Sequence, residues 1–273
     1  MHGMHARLPK HFVLEERLER YAAAIELKPA LLAGRWAEAS APLGGRPFRA
    51  VHLDAGCGKG AFLVASAQAE PDVLFIGLDA EPICVAYAAQ RIVEAGLRNA
   101  LIVPAKGSDV ASIFAAGELA GMTINFPTPF PRKKEAAKRL VSLERLLEYR
   151  AVLAEDAALA FKTDHAPLFS FTLTQFALAG YEIVYRSDDC RADHPDTPFS
   201  EYEERLASAG ARIHALIARA GELAGPPIQN ASLSLADYLP DDLHGLSYIP
   251  HGMQGTVANL RNRRDREAAR SAP

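Results

Sequence analysis

AVHLDAGCGKG (50–60), answered at 73–79 by VLFIGLD, decides how this chain folds. The first five residues form a short apolar run that closes on Asp54. An apolar run of that length, bounded by turn residues, reads as a buried strand. Gly56, Gly58 and Gly60 then allow a tight turn and a close approach of backbone to ligand, because no Cβ stands in the way. A helix follows over Ala61–Gln68. VLFIGLD repeats the scheme, ending in Asp79, and the next helix is read over Ile83–Ala95.

The same alternation continues on either side. ALIVPA (100–105), MTINF (122–126), ALAFKTD (158–164) and YEIVYRS (181–187) read as further strands. Helices are predicted near Asp109–Ala116 and over Leu143–Leu153 and Pro167–Ala179. ARIHALIARA (211–220) reads either as one more strand or as a helix. Strands alternating with helices imply an α/β fold with a mostly parallel sheet flanked by helices. Right-handed crossovers place the strand C-termini along one edge, where ligands bind at the topological switch point. That edge is expected to carry Asp54, Asp79, Phe126 and Asp164.

Three parts are expected. Residues 1–47 form an N-terminal helical extension, with helical apolar spacing over Leu14–Leu27 and a loop marked by Pro42, Gly44, Gly45 and Pro47. Residues 48–225 form the α/β domain. Residues 226–273 form an appendage, loop-like at first and charged at its end (RNRRDREAAR, 261–270). That charged end reads as a solvated helix, a frayed tail or an added grip on a nucleic acid.

Hydrophobic residues make up 49% of the 273 and charged residues 23%, which suits a globular protein without a membrane span. The net charge of −3 gives no whole-chain attraction to polyanions, so any nucleic-acid contact must come from a local basic patch. Cys57, Cys84 and Cys190 are far apart and odd in number, against a disulfide framework or a zinc ribbon. A cytoplasmic protein, monomer or homodimer, is expected. The nine histidines are dispersed, with His2 and His5 near the terminus, so no metal site is expected.

DAGCGKG departs from the G-x-G-x-x-G of dinucleotide folds, whose third glycine would fall at Ala61. Here an acid precedes the glycines by two positions. That arrangement favours a ligand carrying an ammonium group over a pyrophosphate, with Asp54 near the ammonium. Asp79 can accept both ribose hydroxyls in a fork. An amino-acid-bearing nucleoside fits both, and the expected cofactor is S-adenosylmethionine (SAM), held by Asp54, Gly56, Gly58, Gly60, Asp79 and Asn125. The plainer alternative is that both acids cap the helices after them. Cys57 reads as a small filler of the turn.

The unusual stretch is INFPTPFPRKKEAAKRL (124–140). Three prolines in five positions fix a rigid loop at the ligand edge. Arg132, Lys133, Lys134, Lys138 and Arg139 then place five cations in eight residues. They read as a solvated face, or, beside the exposed aromatic Phe130, as a surface for a phosphate backbone with a base to be seated.

At this point the chain resembles the bacterial tRNA (guanine-N7)-methyltransferase family. FPTPFPRKKEAAKRL (126–140) is similar to that family's F-[PS]-D-P-W-P-K-[KR]-R-H-x-K-R-R-L loop. Thr163-Asp164 is similar to its strand-ending T-D, SEYE (200–203) to its T-x-[FY]-E, and GLRN (96–99) also looks like the family. The resemblance covers roughly residues 48–220. It implies a Rossmann-like class I methyltransferase fold with a seven-stranded sheet, SAM as cofactor, and tRNA as partner, methylated at N7 of a variable-loop guanine. The chain departs from the family where Thr128 replaces the loop acid, Phe130 the tryptophan, and Glu135 the histidine. The acid near the adenine is replaced around Lys106, with Asp109 close by. Two alternatives follow: the same fold with another acceptor, or a non-catalytic SAM- or RNA-binding protein.

Guanine N7 attacks with a lone pair and needs no deprotonation, so placement is the main task. Negative charge should be offered as the ring becomes cationic. Asp164 is the candidate for contacting the base, with Glu203 a second and Thr128 a hydrogen-bonding group. The same resemblance puts Phe130, Arg132, Lys133, Lys134, Lys138, Arg139, Thr163 and Ser200 on the RNA. Asp164 also reads as an N-cap for the helix after it.

Overall fold

The computed structural model describes residues 12–39, 47–194, 201–223 and 225–271. In chain order, α1 (Leu14–Arg20) and α2 (Trp36–Ala39) precede β1 (Ala50–Ala55), α3 (Ala61–Ala69), β2 (Val73–Asp79), α4 (Pro82–Glu94) and β3 (Ala100–Pro104). Then come α5 (Val110–Ile113), β4 (Leu119–Asn125), α6 (Leu143–Val152), β5 (Leu153–Thr163), α7 (Ala166–Leu178) and β6 (Tyr181–Ser187). The chain continues with α8 (Cys190–Asp193), α9 (Glu201–Ser208), β7 (His214–Ala220) and α10 (Gln254–Ser271).

The seven strands form one sheet in the order β3-β2-β1-β4-β5-β7-β6. β1 to β5 run parallel, and β7 is antiparallel to both β5 and β6. The interior strands are continuous apolar runs because helices cover both faces; in β2 every residue from Val73 to Leu78 is buried. The order reverses between β1 and β4, so a crevice opens beyond their C-termini, with Asp54 and Asp79 on one side and Asn125 and Thr163 on the other.

Local chemistry explains the boundaries. Pro82 opens α4, where a missing N–H costs nothing, and Gly96 ends it with φ 64°. Asn99 of GLRN is buried, and its amide donates to the carbonyls of Ala67, Glu70 and Val73, pinning the turn from α3 to β2. The ambiguous 211–220 stretch is a strand over His214–Ala220. The helix read near Asp109–Ala116 is only a 3-10 turn at Gly107–Asp109 and one α-turn, because Phe114 leaves the helix with φ −120° and ψ 144°. The first helix stops at Arg20, short of Leu27. Beyond it Ile25 bridges Ile102 of β3, and the Glu26 N–H donates to the Ile102 carbonyl at 2.9 Å. The N-terminal segment thus covers part of a sheet edge that would otherwise offer unpaired backbone groups. Trp36, wholly buried, donates its indole N–H to the Ile113 carbonyl at 2.9 Å.

Residues beyond Gly225, read from sequence as an appendage, share the apolar core of the sheet. Leu235, Met253 and Val257 are buried in the same cluster as Leu53, Ile124 and Phe171. Among the described residues no helix is long and apolar enough to cross a membrane.

Candidate cofactor and acceptor site

The glycine turn after β1 is built as its sequence implies. Gly56, Gly58 and Gly60 take φ of 73°, 55° and 76°, the left-handed region that other residues rarely adopt. A Cβ on Gly60 would stand 2.9 Å from the Ala88 Cβ, so this glycine lets α3 and α4 approach. A Cβ on Gly58 would meet nothing within 4 Å; that position faces open space, where a ligand can approach. The Gly58 N–H donates to Asp79 Oδ2 at 2.9 Å, joining the two halves of the cradle.

Neither acid is a helix N-cap: α3 is capped at Gly60 and α4 at Glu81. Asp79 accepts from Gly58 N–H on one oxygen and from Glu81 N–H at 2.9 Å on the other. Burial raises its carboxyl above the ordinary value, and the Glu81 and Gly58 amides oppose that. Each oxygen keeps a lone pair for a further donor. Asp54 is only 2% exposed, and burial pushes its carboxyl up to about 7. Thr123 Oγ1, on the register partner in β4, donates to Asp54 Oδ1 at 3.1 Å and partly opposes the shift; nearby Asp79 adds to it. Asp54 Oδ2 has no partner and neither has the buried Nδ2 of Asn125.

A lone buried acceptor and a lone buried donor are each expensive to leave unmade. On the ligand edge they fit a zwitterion with one ammonium and one carboxylate, and Asp79 fits a vicinal diol. The residues present therefore suit SAM. Cys57 lies between these groups with its thiol raised well above the ordinary value, chiefly by burial, and its sulfur packs where a Cβ on Gly77 would fall. Asp109, the nearest acid after β3, caps its own turn by accepting from Lys106 N–H at 2.9 Å.

On the acceptor side the structure sorts the sequence candidates. Phe126 and Phe130 hold φ of 49° and 44°, strained conformations imposed by the proline loop between them. Thr128 is exposed at the loop, and Arg132, Lys133, Lys134 and Lys138 are exposed after it. Glu135 pairs with Arg132 at 2.8 Å and with Lys138 at 3.9 Å. Lys133 and Lys134 stand outside any ion pair among the described residues. Lys138 Nζ lies 5.6 Å from the centre of the Phe130 ring.

Arg139 does not belong to that face, contrary to the sequence reading. It is fully buried, 4.4 Å from the centre of the Phe171 ring, and donates to the carbonyls of Pro129, Phe130 and Leu233. It holds the loop rather than a phosphate. Thr163 is likewise no surface contact: it is 1% exposed, and its hydroxyl accepts from His165 N–H at 3.1 Å. Glu203 is buried, with its carboxylate 3.1 Å from Lys162 Nζ, so the base contact read for it competes with an ion pair. Ser200 lies outside the described residues.

Asp164 is half-buried just beyond β5. It is not the N-cap of α7; His165 is, with Nδ1 accepting from Leu168 N–H at 3.1 Å. Burial holds the His165 imidazole down at about 4, so it is neutral. Asp164 Oδ2 instead accepts from the Tyr248 hydroxyl at 2.5 Å. Sequence reasoning missed Thr123 and Tyr248. The first meets Asp54 only through the register of β1 with β4, and nothing local marks the second.

Fold and cradle together define the class, a Rossmann-like class I methyltransferase. A family described as putative methyltransferase matches residues 49–216. The tRNA (guanine-N(7)-)-methyltransferase of Streptococcus equi subsp. zooepidemicus (strain MGCS10565) is 32% identical over 77% of this chain and 98% of its own length. That of Streptococcus sanguinis (strain SK36) is 32% identical over 73% and 92% respectively, and that of Geobacillus kaustophilus (strain HTA426) 30% over 73% and 90%. The chain belongs to the tRNA (guanine-N(7)-)-methyltransferase family.

Proposed function

We propose that this protein transfers the methyl group of SAM to N7 of a guanine in the tRNA variable loop. The observation that carries the reading is the pairing, across the β1/β4 switch point, of an Asp54–Asp79 cradle with a carboxylate at Asp164. Membership of the family supports it, and the free thiols of Cys57, Cys84 and Cys190 suit the reducing cytoplasm where tRNA is found.

SAM, when bound, supplies an electrophilic sulfonium methyl. The chain's own residues supply position and charge. Asp54 meets the ammonium with the oxygen that has no partner, and Asp79 takes the ribose hydroxyls. Asn125 offers its amide to the ligand carboxylate. Arg139 fixes the backbone of Pro129 and Phe130, so the acceptor loop is rigid before RNA arrives. Preorganisation of this kind supplies most of what an uncharged lone-pair nucleophile needs. As N7 bonds to carbon the purine becomes cationic, and the half-buried Asp164 carboxylate offsets that charge. Lys133 and Lys134 meet the phosphate backbone.

A second reading, the same chemistry on a different acceptor, is favoured by Thr128, which offers a hydroxyl where the family loop has an acid. Purified protein, labelled SAM and unmodified tRNA decide between them. Label recovered as 7-methylguanosine is expected; label in another nucleoside supports the second reading, and SAM binding without label in any RNA overturns both.

A further inference from the structure

Three aromatic side chains surround the end of β5. Phe126 packs edge-on against Tyr202 of α9 with ring centres 5.1 Å apart. Burial raises the Tyr202 phenol above its ordinary value, and the nearby Asp164 carboxylate adds to that. Tyr248 completes the group with its 2.5 Å hydrogen bond to Asp164. Burial first, and then Asp164, raise the Tyr248 phenol well above its ordinary value, so it remains a donor.

The segment that delivers Tyr248 is anchored on both sides. The Leu235 N–H donates to the Pro131 carbonyl at 3.0 Å, and Arg139 bridges the carbonyls of Phe130 and Leu233 at 2.7 and 3.0 Å. Met253 and Val257 are wholly buried just after it. The family match ends at residue 216, so Tyr248 lies in a part of the chain that the family pattern does not describe.

We infer that Tyr248 is a positioning residue for the acceptor base: its hydroxyl fixes the Asp164 carboxylate so that Asp164 accepts from N1–H and the 2-amino group of guanine. The inference rests on the guanine reading above. A carboxylate accepts only, and guanine alone among the four bases presents two adjacent donors on that edge; adenine presents an acceptor there. With Oδ2 tied to Tyr248, the Asp164 side chain loses its rotational choices, while Oδ1 and a second lone pair on Oδ2 remain for the base. The discrimination therefore depends on a hydroxyl that itself need not touch RNA.

The test compares full-length parent and Tyr248→Phe on two tRNA substrates, one with guanine and one with inosine at the methylated position. Inosine keeps N7 and N1–H but lacks the 2-amino group. The parent should prefer guanine by about tenfold or more in kcat/KM, since a site built for a donor rejects an analogue without it. Tyr248→Phe should shrink that preference to about threefold or less, with SAM affinity and melting temperature unchanged. In an Asp164→Asn background, Tyr248→Phe should change the preference no further. An unchanged preference in Tyr248→Phe overturns the inference. So does an equal loss on both substrates with a lowered melting temperature, which marks a merely structural contact. A parent that methylates neither substrate overturns the guanine reading as well, whereas a selective parent with an equally selective variant overturns only the role of Tyr248.

Discussion

Asp54→Asn should make the ligand-free protein more stable at pH 8 while abolishing its response to SAM. Asp54 is a buried carboxylate with one oxygen unpartnered and a carboxyl held near 7, against 3.8 for the ordinary group. A gap of roughly three pH units, at about 1.4 kcal/mol each, sets a ceiling near 4 kcal/mol on what the ionised group costs the fold. Asparagine removes that charge but leaves a neutral amide nitrogen without a partner, which costs about 1–3 kcal/mol. A net gain of about 1–3 kcal/mol remains, or some 3–10 °C in melting temperature for a chain of this size.

The pH dependence separates this account from a generic packing effect. Because the folded-state carboxyl is raised, the parent's stability from this group is complete below about 3.8 and is lost as pH climbs to about 7. The advantage of Asp54→Asn should therefore be smallest near pH 4–5, grow towards pH 7, and stay level above it. Melting curves of both proteins from pH 5 to 8.5, with and without SAM, read this directly. The parent should gain stability on SAM binding, since the ammonium supplies the missing partner, and the variant should not. A variant that melts lower than the parent at pH 8, or an advantage that does not change with pH, refutes the reasoning.

Asp79→Ala should weaken SAM binding by about 1–3 kcal/mol, through loss of charge-assisted hydrogen bonds, as read by calorimetry; unchanged affinity removes Asp79 from the cradle. Replacing Lys133 and Lys134 together by alanine should lower tRNA affinity and flatten its salt dependence, with log–log slopes reduced by up to about two, while SAM affinity stays the same. Identical slopes would return those lysines to the role of a solvated face. Arg139→Ala leaves the carbonyls of Phe130 and Leu233 without their donor and should destabilise the fold by about 3–5 kcal/mol, seen in denaturant melts. A melt within 0.5 kcal/mol of the parent, taking surface substitutions as the yardstick, would mean the guanidinium holds nothing.

What was legible in the sequence is what neighbouring residues decide among themselves. The glycine turn announces itself because three left-handed positions and the acids at two strand ends lie in contiguous runs. The alternation of strand and helix follows for the same reason, and the α/β sheet with its ligand edge comes out as the patterns imply. Pairings across the sheet leave no such trace. Thr123 supports Asp54 only because β4 lies beside β1, although the two residues are 69 positions apart in the chain. Tyr248 reaches Asp164 across 84 positions, from a stretch whose apolar residues are too sparse to show a period.

Arg139 makes the same point within a single run of charge. It follows Lys138 directly, yet one side chain is 62% exposed and the other fully buried, because the 3-10 turn ends at Lys138 and Arg139, its C-cap, passes into extended backbone with φ −68° and ψ 132°. Composition counts both as cations for RNA. Only the facing carbonyls, two of them in the proline loop and one beyond residue 226, decide that Arg139 is spent on the protein itself. The acceptor loop and the C-terminal segment are thereby made one rigid body by a residue that looks, in sequence, like part of the surface. A guanidinium is suited to that task because its planar fork donates to several carbonyls at once, which an ammonium on a flexible stem does less well. Hence Arg139→Lys should keep the charge and still loosen the loop, lowering kcat/KM for tRNA while SAM affinity holds; a lysine variant with full activity would show that charge alone, and not the fork, sets the loop.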